Sequence, residues 1–127
     1  PPHPWRGRIT CDPAPDRPGT VDGTAEAEAQ VDALFGNAAA ADFTWTGSQV
    51  AYSGPPEWSL RRQILHYARL AVAAGGVEAF VVGSEFVGLT RVRGPGGYPA
   101  ASRLAGLAGD VRAVLGPGPV ITYAADW

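Results

Sequence analysis

Residues 79–86 read Ala79-Phe80-Val81-Val82-Gly83-Ser84-Glu85-Phe86. The apolar run, with its aromatic and β-branched residues, has the composition of a buried strand. It stops at two small residues and a carboxylate. Alternation along a strand places Val81, Gly83 and Glu85 on one face and Phe80, Val82 and Ser84 on the other. A helical pattern precedes the run, and a Gly-rich loop and a second helix follow it. Glu85 is therefore expected at the carboxyl end of a strand in a β/α repeat, where sheets and barrels of this class build their sites. A strand-end Glu that only faces solvent is the plainer alternative.

Working outward, Pro55-Pro56-Glu57 is expected to open the preceding helix, since Pro suits the first turn and Glu the positive end of the dipole. Leu60, Ile64, Leu65, Ala68, Ala71 and Val72 form its buried stripe, with Arg61, Arg62 and Arg69 outside it. Gly75-Gly76 stops it, and His66 on this helix reads as structural. Downstream, 88–98 reads as a loop whose Gly94-Pro95-Gly96-Gly97 matches neither a P-loop nor a dinucleotide fingerprint. A helix follows from Pro99 to Leu115, with Leu104, Leu107, Ala108, Val111, Val114 and Leu115 inward. A last strand, Val120 to Ala124, has Asp126 and Trp127 at its carboxyl end.

Upstream, Arg6 to Cys11 alternates and reads as a short strand closed by Asp12-Pro13. Arg8 and Asp12 are in phase, so both are candidates for the same site; an exposed Arg and a loop Asp are the alternative. Residues 13–55 read as an insertion. It holds a Pro/Gly/Asp-rich loop, a helix from Ala25 to Phe35 capped by Thr24, and a hairpin. The helix carries Glu26 and Glu28 at its positive end and a stripe of Ala27, Val31, Leu34 and Phe35, and Gly36-Asn37 ends it. The hairpin pairs Phe43-Thr44-Trp45 with Val50-Ala51-Tyr52 around Thr46-Gly47-Ser48. Trp45 and Tyr52 are candidates for stacking on a sugar, although packing within the hairpin is the commoner use of such rings.

The order strand, insertion and helix, strand, helix, strand predicts an α/β fold with parallel strands. Asp12, Glu85 and Asp126 would then lie at the same end of three strands, around one barrel mouth. Composition limits the alternatives. The 127 residues suit one domain or part of a larger one, and 46% hydrophobic content allows a packed core. All basic residues are scattered Arg and the net charge is −2, so there is no nucleic-acid stripe. No apolar run approaches the ~20 residues of a membrane span, and no signal peptide is apparent. Cys11, His3 and His66 lack metal-ligand spacing, so no metal or other cofactor is expected. The chain has no Met and starts Pro1-Pro2-His3-Pro4, as expected of a piece of a longer protein.

A carboxylate at a β/α-barrel mouth with aromatic rings nearby suits glycoside hydrolysis, which needs one carboxyl as acid and another as nucleophile or base. A Ser-His-Asp hydrolase fits poorly, because no G-x-S-x-G elbow occurs.

The run PPHPWRGRITCDPAP, the segment YSGPPEWSLRRQILHYARLAVAAGGVEAFVVGSEFVGLT and the ending VITYAADW resemble one known family. It is the TIM-barrel-like, glycoside-hydrolase-like domain of the large tail or baseplate protein of gene transfer agents and related phages. The resemblance implies a (β/α)8 barrel of which this chain carries about three consecutive units. It implies that Glu85 is the acid/base at the end of the fourth strand, with Ser84 where such glycosidases usually carry Asn. The nucleophile would end the seventh strand, beyond this chain. Ser84, Asp12, Arg8, Asp126 and Trp127 are the expected substrate-binding residues. A glycan, other tail or baseplate proteins and the rest of the chain are the expected partners, without nucleic acid or membrane insertion. The expected location is a phage-tail-like particle, assembled in the bacterial cytoplasm and released. Two functions follow: a retaining glycosidase acting on cell-wall or surface glycan, or a structural or glycan-binding barrel of the baseplate.

Overall fold

The computed structural model describes residues 5–125. In chain order the elements are α1 (Ala25–Phe35), β1 (Phe43–Trp45), β2 (Val50–Tyr52), α2 (Leu60–Ala73), β3 (Ala79–Ser84), α3 (Val87–Thr90), α4 (Pro99–Leu115) and β4 (Val120–Ala124).

β3 and β4 pair in parallel, with Ala79 opposite Val120, Phe80 opposite Ile121 and Val81 opposite Thr122. The chain between them runs through α3 and α4, as a parallel pair requires. α4 packs on one face of the pair. There Val82 is buried, and Phe80, Ile121 and Tyr123 pack against the core. The opposite face is open, with Val81 48% and Val120 62% exposed. The core lies between the helices and the covered sheet face. Its largest fully enclosed side chains are Val31 and Phe35 of α1, Leu65 of α2, Leu89 of α3, Val92, and Leu107 and Val111 of α4.

The α/β expectation holds, as do α1, the hairpin, β3, α4 and β4. α1 begins on Thr24, whose hydroxyl accepts from the Ala27 N–H, and ends at Gly36 in a left-handed conformation, φ 73°. The β1–β2 register places Phe43 opposite Tyr52 and Trp45 opposite Val50.

Several local expectations are corrected. Arg6–Cys11 is not a strand: Arg6–Arg8 is a 3₁₀ turn. The Arg8 N–H donates to the Trp5 carbonyl and the Ile9 N–H to the Arg6 carbonyl. These turn bonds take amides that a ladder would need, and a six-residue alternation is too short a signal to outweigh them. α2 starts at Leu60, not at Pro55, because Ser59 is its cap and its hydroxyl accepts the Arg62 N–H. Glu57 instead accepts the Asn37 and Ala38 N–H groups at 2.8 and 3.0 Å and the Ser59 hydroxyl at 2.7 Å. Val72, assigned to the buried stripe of α2, is exposed in the last turn. The segment 88–98 is not all loop, since Val87–Thr90 is a helical turn that buries Leu89. Finally, a register shift between Val81 and Ser84 breaks the alternation, so Glu85 does not simply continue the Val81 face.

The insertion is tied to the β/α part by charged and polar clamps. Asp22 accepts from the Arg93 N–H, Nε and Nη2 at 2.6, 2.8 and 2.6 Å, and its side chain is 2% exposed. Arg93 holds the Asp22 carboxyl below the usual Asp range, first through the side-chain hydrogen bonds. Arg103 of α4 pairs with Asp32 of α1 at 2.6 Å. Arg61 of α2 joins the Ala38 carbonyl to Asp110 of α4.

Candidate functional site

β3 delivers Ser84 and Glu85 to its carboxyl end. Two bonds fix the backbone there: the Glu85 N–H donates to the Ala124 carbonyl at 3.1 Å, and the Phe86 N–H to the Tyr123 hydroxyl at 2.8 Å. Between them Glu85 adopts φ 54°, and among the described residues it is the one non-glycine with positive φ. A left-handed conformation costs an L-residue about 1–2 kcal/mol, so it persists only where neighbouring structure imposes it. The bulge and the left-handed residue together turn the Glu85 side chain out of the ladder, and it is exposed.

The segment 5–9 forms the facing rim. Trp5 Nε1 donates to Glu85 Oε2 at 3.3 Å, and Arg6 Nη1 donates to Ser84 Oγ at 2.8 Å. Two glycines allow this approach. A Cβ on Gly7 would run into the Trp5 indole, and a Cβ on Gly88 would lie 2.6 Å from the Gly7 and Ile9 carbonyl oxygens. The rim therefore rests directly on the first turn of α3. A recess of about 380 Å³ results, lined by Trp5, Arg6, Ile9 and Glu85. Arg6 and Ile9 also line a second, larger groove of about 850 Å³ that runs between the hairpin and α2.

The expected site residues are thus only partly assembled. Ser84 and Glu85 stand together at the rim. Arg8 is exposed on the 3₁₀ turn and does not line the recess. Asp12 does not end a strand: its N–H and carbonyl both pair with the Gln30 amide of α1, at 2.8 and 3.0 Å. Its carboxylate does not line the recess either. Asp126 and Trp127 lie outside the described residues. Of the two hairpin rings, Trp45 is exposed away from the grooves, whereas Tyr52 lines the larger one. Burial pushes the Tyr52 hydroxyl pKa up, with the Glu57 charge adding to the effect.

Trp5 and Arg6 are the contacts that periodicity did not reveal. They lie on a turn, where no repeat signals which way a side chain points. Among the described residues no cluster of three or more His, Cys, Asp or Glu is placed to hold a metal ion, and no helix is long and apolar enough to cross a membrane.

A carboxylate at the end of a parallel strand, backed by an α/β layer, is the arrangement on which the comparison with known families bears. The family model of the GTA TIM-barrel-like domain matches residues 58–127, more than half of the chain. The chain belongs to the GTA TIM-barrel-like domain family. No curated protein matches it significantly. The matched span of this GTA TIM-barrel-like domain takes in α2, β3, α3, α4 and β4, and hence Ser84 and Glu85. The rim residues Trp5 and Arg6 and the β1–β2 hairpin lie before it.

Proposed function

We propose that this GTA TIM-barrel-like domain hydrolyses a cell-wall or surface glycan, with Glu85 as the general acid/base of a retaining glycosidase. The observation that carries this reading is the setting of Glu85. It sits at the carboxyl end of a parallel strand in a left-handed conformation, exposed to a recess, with one carboxylate oxygen held by an indole N–H. Backbone strain at a single exposed carboxylate is characteristic of a positioned functional group. Trp5 engages Oε2, which leaves Oε1 to deliver a proton to the glycosidic oxygen. Arg6 and Ser84 stand beside it as donors for sugar hydroxyls. A retaining mechanism needs a second carboxylate as nucleophile roughly 5–5.5 Å from Glu85, and among the described residues none lines the recess. The partners of this reading are the glycan and other tail or baseplate proteins, and its place is a phage-tail-like particle.

The test is Glu85→Gln in the natural full-length protein, assayed on unactivated glycan. General acid catalysis contributes about 10²–10⁴-fold, and cleavage should fall by that factor. A substrate with a good leaving group should be less affected in its first step. Cleavage that survives the substitution would remove Glu85 from the acid role.

A second reading, a glycan-binding barrel of the baseplate without hydrolysis, is favoured by the larger groove, whose aromatic lining is suited to holding a ligand. Binding of glycan by the unmodified protein, with no cleavage, would select it.

A further inference from the structure

The larger groove has a lining that core packing does not account for. Trp58, immediately before α2, is 93% exposed. Its indole nevertheless packs on one face against Arg62. The Arg62 guanidinium lies 4.1 Å from the centre of the Trp58 ring and 4.2 Å from that of Tyr52, and Arg62 is itself anchored by a hydrogen bond to the Glu57 carbonyl. Such a cation–π contact favours this orientation of the ring. Two turns along, Tyr67 is 55% exposed and braced edge-on by His66, their ring centres 5.9 Å apart. Two solvent-facing rings, each held by a neighbour, therefore line one groove that continues past Arg6 to Glu85.

The polar lining has one sign. Arg6 and Arg62 face this groove, and no Asp or Glu is among its lining residues. Neither Arg forms an ion pair among the described residues; Arg6 donates to the Ser84 hydroxyl and Arg62 to the Glu57 carbonyl. A groove lined by two guanidinium groups that have no ion-pair partner among the described residues, and by no carboxylate, is complementary to an anion. The rings supply apolar area for the C–H faces of pyranoses, and an Arg fork matches a carboxylate.

We propose that the groove between the hairpin and α2 is a binding subsite for a carboxylate-bearing sugar of the same glycan strand that passes Glu85. Trp58 and Tyr67 act as stacking platforms, and Arg6 and Arg62 select the acid. This deepens the glycosidase reading and rests on it for the direction of the strand.

The experiment uses the natural full-length protein carrying Glu85→Gln, so that bound sugar is not turned over. Two probes are titrated calorimetrically. One is the tetrasaccharide of alternating N-acetylglucosamine and N-acetylmuramic acid; the other is chitotetraose, which has the same linkage but no lactyl carboxylates. The acidic probe should bind about tenfold more tightly, and the advantage should shrink with added salt and vanish in Arg6→Gln/Arg62→Gln. Trp58→Ala should weaken both probes by about tenfold, and Trp58 is too exposed for its loss to unfold the domain. Equal affinity for the two probes, or binding indifferent to Trp58→Ala, would overturn the inference. Cleavage that depends on Glu85 alongside either of those results sinks the subsite alone. Acid-selective, Trp58-dependent binding without any cleavage by the unmodified protein upholds the subsite and sinks the catalytic reading.

Discussion

Two carboxylates, Asp22 and Glu85, show how differently one chain uses the same group. Asp22 spends its oxygens on three donors of Arg93 and is nearly sealed from solvent. Glu85 accepts one indole N–H, faces a recess, and sits on a backbone conformation that its residue type disfavours. Asp22 is fully satisfied and holds the 13–23 loop to the segment after α3. Glu85 retains acceptor capacity for a ligand. A structural carboxylate is recognised by saturation of its hydrogen bonds, a functional one by positioning without saturation.

Separating the two roles gives the largest expected effect. Glu85→Gln should reduce glycan cleavage by about 10²–10⁴-fold while the thermal melt stays where it was, because an exposed rim residue supports little of the core. A melt that shifts as far as the activity would place Glu85 with Asp22 as a structural group. Gly88→Ala should act next most strongly. The added methyl collides with the Gly7 and Ile9 carbonyls and lifts the rim, separating Trp5 from Glu85. Cleavage should fall about 10- to 100-fold, since small misplacements near a reacting group are costly. The Trp5 indole N–H resonance should move with it, and an unmoved resonance would show that the rim does not depend on this contact.

Asp22→Asn should leave cleavage unchanged and lower the melting temperature, since an amide cannot replace the ionic bonds to Arg93. Loss of activity at unchanged stability would reverse the comparison. The smallest effect concerns pH. The Asp22 carboxyl is held below the ordinary 3.8, so the clamp contributes fully above that value and is lost as pH falls through the lower folded value. Glu57 behaves alike below the ordinary 4.5, chiefly through the Ser59 hydroxyl. The melting temperature should therefore decline as pH drops below about 4.5. The decline should be shallower in Asp22→Asn, as thermal melts across that range would show; parallel curves would remove Asp22 from the acid response.

The halves of the molecule also differed in how well they could be read. β3, α4 and β4 follow from local pattern, since an apolar run or a 3.6-residue stripe reports directly on a buried face. Thr24 and Gly36 marked both ends of α1 for the same reason: capping is a contact between near neighbours in sequence. The rim escaped that logic. Arg6–Cys11 has the alternation of a strand, yet its amides close a 3₁₀ turn. Glu57 looks like a helix-opening residue, yet it holds the amides of Asn37 and Ala38.

By itself the sequence determined the order of elements from α1 onward, the caps of α1, most of each helix face and the place of Glu85 near a strand end. These depend on interactions within a few residues, or on periodic burial that does not require knowing the partner. Only the tertiary structure decided that Trp5 and Arg6, rather than Arg8 and Asp12, meet Glu85 and Ser84. It alone decided that Trp58 and Arg62 open a groove beside them, and that Glu85 leaves the ladder with a positive φ. The contacts of Trp5 and Arg6 with Glu85 and Ser84 join residues about 80 apart through a turn and a bulge. Their geometry is set by backbone packing such as that of the rim on Gly88, which no local pattern encodes.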